Sequence, residues 1–359
     1  MMRTDTKNIF IAMSGGVDSS AVAALLKEEG HRLAGGIMRL LPEELESDST
    51  FESALADARR IADMLDIPFY VLDLREAFRE QVIDVFLHEY GAGRTPNPCV
   101  MCNRFMKFGL LLGFAREKGY QRIATGHYAK ASWSETYGKT VLRKGDDLRK
   151  DQSYFMYRLT TEQLEACEFP LGIYTKDRIL EKATQLGFNV KQKGESQEIC
   201  FIPDDDYRSF LRRYGREGMT EGAFVDLQGN PIGTHQGIGF YTVGQRKGLG
   251  LALGYPAYVC RIDPAANTIM VGPRESLEQT TFQVGDVVLS ALDSLSEPLE
   301  TTVKVRYRSR PLKAIVYPEK NGDCRVELQE PEAAITPGQS AVFYDEDIVL
   351  GGGFILATD

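Results

Sequence analysis

The sequence predicts an α/β fold, a doubly wound parallel sheet that is followed by a small mixed domain and a C-terminal β-barrel. In the first half, short apolar runs alternate with stretches whose apolar residues recur at helical spacing. Strands that alternate with helices of roughly 10–15 residues form parallel sheets with right-handed crossovers. Near the C-terminus, several short apolar runs follow one another at almost regular spacing, which is typical of a small barrel.

The elements of the first half follow one another in a simple order. The first strand ends at Ala12, and the helix that begins after a glycine turn carries apolar residues to Leu26. Ligands of such sheets bind at the carboxyl ends of the strands, so Ser14, Met38 and Gly126 are expected at one edge. The remaining predicted elements are a strand at 32–40, a helix at 51–65, a strand at 68–73, helices at 76–89 and 102–118, and a strand at 122–125.

The pattern changes near Asp204, where the alternation of strands and helices stops. A short basic helix is predicted at 207–214, and a glycine-dense stretch with short apolar runs extends to about residue 273. We therefore expect a catalytic domain at 1–204, a small central domain at 205–275 and a barrel domain at 276–359. The predicted barrel strands lie at 301–308, 313–317, 324–328, 340–344 and 347–351.

Composition limits the class of protein. The chain has 359 residues, of which 43% are hydrophobic and 26% are charged, as in ordinary globular proteins. No apolar stretch approaches the roughly 18 residues of a membrane span, and we expect a cytoplasmic monomer without membrane contact. The net charge of −9 argues against broad attraction to nucleic acid, although local clusters of Lys and Arg remain.

The glycine turn after the first strand has the chemistry of a phosphate-binding loop. Residues 14–19 read Ser-Gly-Gly-Val-Asp-Ser and lead directly into a helix. Gly15 and Gly16 allow consecutive amides, two serine hydroxyls and the positive helix end to face one anion, for which pyrophosphate is the natural ligand. A Walker A loop is excluded, because the one Gly-Lys-Thr in the chain has Trp133 at the position of the leading glycine.

Two cysteine neighbourhoods stand out. Prolines at 96 and 98 stiffen a loop that enters a helix at Cys102, and a helix N-terminus is expected to lower the pKa of that thiol. Cys200 lies among apolar residues, which by itself is typical of a buried and inert thiol. The other three cysteines are expected to fill space in the core or at the surface: Cys167, Cys260 and Cys324.

A closed zinc site is not predicted, because it needs four Cys or His ligands and the four histidines are scattered singly. An iron–sulfur site formed by Cys99, Cys102 and Cys200 stays open as an alternative.

The order of motifs resembles that of the bacterial tRNA-specific 2-thiouridylases, members of the PP-loop ATP pyrophosphatase superfamily. The similarity runs through nearly the whole chain and implies an adenine nucleotide α hydrolase-like catalytic domain. The matching motifs lie at residues 13–20, 95–98 with 102–103, 124–129, 150–155, 169–172, 196–202, 241–250 and 306–308.

The resemblance implies an enzyme that adenylates the C2 oxygen of the wobble uridine with ATP and then replaces it with sulfur. It makes Cys102 the nucleophile and Cys200 the carrier of a persulfide that a sulfur-relay protein supplies. It also makes Asp18 a candidate ligand of Mg²⁺. The implied ATP-binding residues are Ala12, Met13, Ser14, Gly15, Gly16, Val17, Asp18, Ser19, Met38 and Gly126. The implied tRNA contacts are Asn97, Pro98 and Cys99 on the target base, with His127, Lys150, Asp151, Gln152, Arg306, Tyr307 and Gln339.

Two departures from the family pattern and two alternatives accompany this interpretation. The segment 39–50 lacks the Asn-Trp-rich stretch that is common in the family, so contacts there are expected to differ. Many relatives carry Asp at the position of Cys99, where a carboxylate can assist proton transfer better than a thiol. Another PP-loop adenylating enzyme would share the loop without needing Cys102 or Cys200. A noncatalytic module that binds adenylate and RNA is the other alternative, and the intact Asp18 and both cysteines argue against it.

Overall fold

A computed structural model describes residues 6–46, 48–188, 199–202 and 206–357 of the chain. The chain divides into two compact units. The first contains Met1–Val82, Cys99–Gln197 and Asp347–Val349, and the second contains Ile83–Pro98, Glu198–Glu346 and Leu350–Asp359. The assignment of Ile83–Pro98 to the second unit is a feature that the sequence did not predict. The boundary expected near residue 275 lies inside that unit, and the expected domains 1–204, 205–275 and 276–359 stay predictions.

The first unit is built on a five-stranded parallel sheet in the order β3-β2-β1-β4-β7. Its first strand is central, as expected for a strand whose residues Ile9, Phe10 and Ile11 are all fully buried. The strands are β1 (Asn8–Ala12), β2 (Arg32–Arg39), β3 (Phe69–Asp73), β4 (Arg122–Ala124) and β7 (Cys167–Glu168), with an antiparallel hairpin of β5 (Ala129–Ser134) and β6 (Lys139–Lys144).

Helices cover both faces of this sheet. On one face Ile9 and Ile11 pack with apolar residues of α1, α2 and α8, such as Val22 and Ile61, and on the other Phe10 meets the rings of Tyr120 and Phe114. The doubly wound prediction is confirmed. The helices are α1 (Val17–Glu28), α2 (Asp48–Met64), α3 (Arg75–Phe78), α5 (Pro98–Met101), α6 (Leu112–Glu117), α7 (Thr161–Glu165) and α8 (Lys176–Gln185), and α4 (Asp84–Gly91) belongs to the second unit.

Two π-helical segments interrupt these helices. Arg79–Ile83 follows α3, and the ten residues Cys102–Leu111 join α5 to α6. The helix predicted at 102–118 therefore begins earlier, at Pro98, where the missing amide hydrogen of proline costs nothing. Short 3₁₀ turns at Ser153–Met156 and Pro170–Ile173 complete the unit.

The second unit contains a helix, a mixed sheet and a barrel. The basic helix is α9 (Tyr207–Tyr214), with the bounds that the sequence predicts. The mixed sheet has the order β10-β11-β8-β9, in which β11 and β8 are parallel and the other pairs antiparallel. Its strands are β8 (Gly222–Val225), β9 (Pro231–His235), β10 (Tyr258–Asp263) and β11 (Thr268–Gly272).

The barrel strands follow in the order β12-β15-β14-β13-β16-β17, and pairing of β12 with β17 closes the ring. The strand predicted at 301–308 ends at Lys304, because Ser309 bonds back to the carbonyl of Arg306 and forms a turn. No helix among the described residues is long and apolar enough to cross a bilayer. The strands are β12 (Glu278–Leu289), β13 (Leu299–Lys304), β14 (Leu312–Pro318), β15 (Cys324–Ala333), β16 (Ser340–Asp345) and β17 (Ile348–Ala357).

Candidate active site

The loop after β1 presents the N-terminus of α1 to solvent. Gly15 has a φ of +70°, and a Cβ there would lie 2.5 Å from the carbonyl oxygen of Ala54, so only glycine fits. Gly16 caps α1 without a side-chain hydrogen bond. The Ser19 hydroxyl accepts from the Ser14 amide at 3.2 Å and donates to the Gly16 carbonyl at 3.0 Å, which fixes the turn. The positive end of a twelve-residue helix is thereby available to an anion.

Asp18 does not stand as an open carboxylate. The ammonium of Lys176, the first residue of α8, lies 2.7 Å from both Asp18 oxygens, and the Tyr128 hydroxyl donates to Oδ1 at 3.0 Å. Mg²⁺ prefers oxygen ligands without a competing cation on the same carboxylate. The donor set therefore does not fit the Mg²⁺ site implied for Asp18.

Gly126 and Met38 lie at the predicted edge of the sheet. A Cβ on Gly126 would lie 3.0 Å from the Asp18 Cβ and 3.3 Å from the Ser19 amide nitrogen, so the chain passes directly against the loop. Met38 is half-buried near the end of β2, in register with Leu72 of β3. These positions are compatible with the nucleotide contacts that the resemblance implies.

The predicted low pKa of the Cys102 thiol is wrong. Burial raises the pKa of this thiol, and the positive charge of Lys107 opposes the rise. The physical reason is the start of the helix at Pro98, which places Cys102 a full turn inside, where the helix dipole has faded and desolvation dominates. Cys99 is exposed, yet surrounding protein also raises the pKa of its thiol, again opposed by Lys107.

His127 is buried and lies beside Lys107, the lysine whose charge acts on both thiols. Its ring is 8% exposed, with Nδ1 2.7 Å from the Thr125 hydroxyl and Nε2 3.3 Å from the Lys107 ammonium. Burial and the charge of Lys107 hold the pKa of His127 well below 6.5. The imidazole is therefore neutral at physiological pH.

Cys200 differs from the expectation of a buried thiol, because it is exposed. It lies in a turn closed by the Ile202 amide and the Ile199 carbonyl at 2.9 Å. The neighbouring ring of Phe201 points inward onto Phe86, and this leaves Cys200 on the outside. Residues 196–198 of the same motif lie outside the described residues.

The three-cysteine cluster is not supported. Within the described parts of the chain, no three His, Cys, Asp or Glu side chains are grouped so that they could hold a metal ion. Cys167 and Cys324 are buried, as expected, and burial raises the pKa of Cys324 to about 12.

Several predicted tRNA contacts are bonded within the protein. Asp151 is buried and accepts from the amide and hydroxyl of Ser153 at 3.1 and 2.9 Å. The Gln339 amide donates to the Thr95 carbonyl at 2.8 Å, and the Arg306 guanidinium donates to the Ala333 carbonyl at 2.9 Å. The other predicted contacts are at least partly accessible, apart from the buried Pro98: Asn97, Cys99, Lys150, Gln152 and Tyr307.

Sequence reasoning missed Lys176 and Lys107, and although it placed Tyr128 at the same edge of the sheet as the loop, it did not predict the bond of Tyr128 to Asp18. Lys176 is 158 residues from Asp18, and no local pattern connects the two. Lys107 follows Cys102 by five residues. In an α-helix this spacing would place the two residues about 140° apart around the helix axis. Only the π-helical segment brings the two positions toward one side.

Comparison with known proteins decides the family. A model described as the tRNA methyl transferase HUP domain matches residues 7–204, and models of a PRC-barrel domain and an aminomethyltransferase β-barrel domain match 208–273 and 279–355. The tRNA-specific 2-thiouridylase MnmA of Clostridium perfringens is 47% identical over 354 residues, covering 97% of this chain and 98% of that protein. The chain belongs to the tRNA-specific 2-thiouridylase family.

Other 2-thiouridylases agree. The enzyme of Clostridioides difficile is 45% identical over 353 residues, covering 97% of this chain and 98% of that protein. Among solved structures, a U34-tRNA thiolase of Methanococcus maripaludis with a [4Fe-4S] cluster is 16% identical, with a TM-score of 0.36 over 58% of this chain and 66% of that chain. That likeness is too small to support any conclusion.

Proposed function

We propose that this enzyme replaces the C2 oxygen of the wobble uridine in tRNA with sulfur and consumes one ATP in each turnover. The observation that carries the proposal is the uncapped N-terminus of α1 behind Gly15 and Gly16, with the ammonium of Lys176 held beside it by Asp18. This arrangement suits the binding of a polyphosphate. The family relationship supplies the substrate class, since the relatives are named for 2-thiouridine in tRNA.

The loop supports the first half-reaction. The C2 oxygen of uridine is a poor leaving group, and transfer of AMP to it makes it a good one. Amide groups at the start of α1 and the Ser14 hydroxyl would stabilise the negative charge that develops on the departing pyrophosphate. Ala12 to Ser19, with Met38 and Gly126, would form the nucleotide site.

The two cysteines would perform the second half-reaction in one of two orders. In the first, the Cys102 thiolate attacks the inner sulfur of a Cys200 persulfide, the S–S bond breaks, and the released hydrosulfide attacks C2 and expels AMP. In the second, the outer sulfur of the Cys200 persulfide attacks C2 and expels AMP. The Cys102 thiolate then attacks the Cys200 sulfur, and the thiocarbonyl leaves as 2-thiouridine.

Both orders leave a disulfide between Cys102 and Cys200. Each turnover therefore needs two electrons from an external thiol reductant and a new sulfur atom from a persulfide-donating protein. The exposed position of Cys200 agrees with loading by a protein partner, whereas the buried Cys102 is protected from unspecific oxidation. A cytoplasmic location and a monomeric state complete the proposal.

The remaining predicted site residues are proposed to contact the tRNA. Asn97, Pro98 and Cys99 would contact the target base, while His127, Lys150, Asp151, Gln152, Arg306, Tyr307 and Gln339 would contact or support the tRNA surface.

The proposal is tested by incubating the full chain with ATP and unmodified tRNA and following pyrophosphate. We expect tRNA-dependent release, and with a persulfide source we expect 2-thiouridine in the hydrolysed tRNA. A noncatalytic adenylate-binding module would release none. Another adenylating enzyme would release pyrophosphate but form no 2-thiouridine.

A further inference from the structure

The π-helical segment Cys102–Leu111 places Lys107 one helical turn after Cys102, the residue proposed as the nucleophile. Hydrogen bonds of a π-helix join residues five apart, so position 107 follows position 102 by one turn. Such segments are rare, with well under 1% of residues, and they are frequent at functional sites. Here the segment begins at Cys102 itself, so it changes which residues lie next to this thiol along the helix.

The lysine is held by a buried neutral ring. Lys107 is half-buried, and its ammonium lies 3.3 Å from His127 Nε2. An ammonium only donates hydrogen bonds, so Nε2 is the acceptor and Nδ1 carries the hydrogen that is donated to the Thr125 hydroxyl at 2.7 Å. The rings of Phe108 and Phe169 pack against His127, which is buried.

The charge of Lys107 reaches both thiols of the Cys-x-x-Cys sequence. It is the charge that lowers the pKa of Cys102 and of Cys99 against the effect of burial, and the neighbouring Cys99 acts in the opposite direction on Cys102. Burial, and to a smaller extent the same charge, lower the pKa of His127 and keep the ring neutral. His127 therefore cannot become a cation that repels Lys107 at any pH near neutrality.

We infer that Lys107 is a positioning residue that favours the thiolate of Cys102, and that His127 acts through Lys107 by holding its ammonium in place. The inference rests on the proposed function, because it explains how the nucleophile of that reaction is activated although it is buried. The ionisation moves one proton from the Cys102 sulfur to solvent. No electron is transferred in this step.

The test measures the reactivity of Cys102 without tRNA or ATP. In the full chain carrying Cys99→Ser, alkylation of Cys102 by iodoacetamide is followed by peptide mass spectrometry from pH 6 to pH 10. Lys107→Met should reduce the rate at pH 8 by about three- to tenfold and displace the pH profile upward, since one pKa unit changes the thiolate fraction tenfold. Lys107→Arg should restore the profile, and His127→Gln should displace it partly.

A matched variant separates charge from general damage. Lys118→Met removes the same charge about 16 Å farther along the helix, where the ammonium lies over the Phe114 ring, and should leave the profile unchanged. Identical profiles for Lys107→Met and the parent, or equal displacement by Lys118→Met, would overturn the inference. Because the assay needs no sulfur transfer, its outcome is independent of whether the chain forms 2-thiouridine.

Discussion

The ammonium of Lys176 lies 2.7 Å from each carboxylate oxygen of Asp18, and this ion pair joins the start of α8 to the phosphate loop. The two side chains are 15% and 32% exposed, so water screens the pair only in part. The Tyr128 hydroxyl adds a third hydrogen bond to the same carboxylate. Asp18 thus keeps a positive charge beside the loop that we propose binds the phosphates of ATP.

Replacement of Asp18 should abolish the first half-reaction. In Asp18→Asn the ammonium of Lys176 loses its partner and the loop loses a fixed group, so tRNA-dependent pyrophosphate release should fall about 100-fold or more, the usual effect of removing an electrostatic contact at a reacting centre. The matched control is Asp146→Asn, which removes an exposed pair with Lys130. A rate equal to that of the control would remove Asp18 from the site.

Gly15 should tolerate no side chain. Gly15→Ala places a Cβ 2.5 Å from the Ala54 carbonyl oxygen and should lower the free energy of unfolding by about 1–3 kcal/mol and weaken ATP binding. Gly30→Ala is the control, because Gly30 also has a positive φ, +82°, but nothing lies within 4 Å of the new Cβ. Thermal unfolding and ATP titration measure the two effects. Equal losses in both variants would show that backbone strain alone matters.

Replacement of either cysteine should prevent sulfur transfer without preventing the transfer of AMP to the uridine. Cys200→Ser should retain tRNA-dependent pyrophosphate release but form no 2-thiouridine, because the persulfide has no carrier, and Cys102→Ser should also form none. The control Cys260→Ser changes a half-buried cysteine of β10 and should leave both activities intact. Nucleoside mass spectrometry together with a pyrophosphate assay measures the two halves. Thiolation that persists in Cys200→Ser would reassign the carrier.

Sulfur transfer should have a basic pH dependence. Burial raises the pKa of Cys102 above that of an ordinary thiol, so the thiolate fraction still increases above pH 8.5 and falls about tenfold for each unit below the pKa. With chemistry limiting, single-turnover formation of 2-thiouridine should rise through this range. The rate of pyrophosphate release by Cys200→Ser should not show the same rise with pH. A thiolation rate that is flat from pH 7 to 9 contradicts the assignment of Cys102.

His127 should make the protein less stable in mild acid. Its pKa is lowered in the folded state, so below about pH 6.5 the unfolded chain binds a proton that the folded chain does not. Stability contributed by the neutral ring is therefore lost as the pH falls, by at most about 1.4 kcal/mol per unit. His127→Asn should reduce the fall in Tm between pH 7.5 and 5.5, whereas His88→Asn, at an exposed ring, should not. A slope unchanged by His127→Asn would contradict this.

Sequence patterns were sufficient for the fold class and for the glycine turn after β1. Periodicity located α9 with its observed bounds and four strands of the parallel sheet, β1 to β4, within one or two residues, because buried apolar patterns and glycine turns act locally. It missed the fifth strand, β7, which has only two residues. The strand expected at 301–308 ends early because the Ser309 hydroxyl donates to the Arg306 carbonyl and forms a turn. Hydrophobic periodicity carries no information about such a bond.

The electrostatics of the site could not be predicted in the same way. The expected low pKa of Cys102 assumed a helix that begins at that residue, and the structure begins it at Pro98 and buries the thiol. The partners Lys176 and Tyr128 of Asp18 come from distant parts of the chain. The sequence also gives no sign of the π-helical segment. The placement of Lys107 one turn after Cys102 could therefore not be predicted.

The most direct test of the central claim is nucleoside mass spectrometry of tRNA from cells that lack this protein, compared with cells in which the full chain is restored from a plasmid. We predict that 2-thiouridine at the wobble position disappears on deletion and returns with the intact chain but not with Cys200→Ser. An unchanged level of 2-thiouridine in the deletion strain would contradict the assignment.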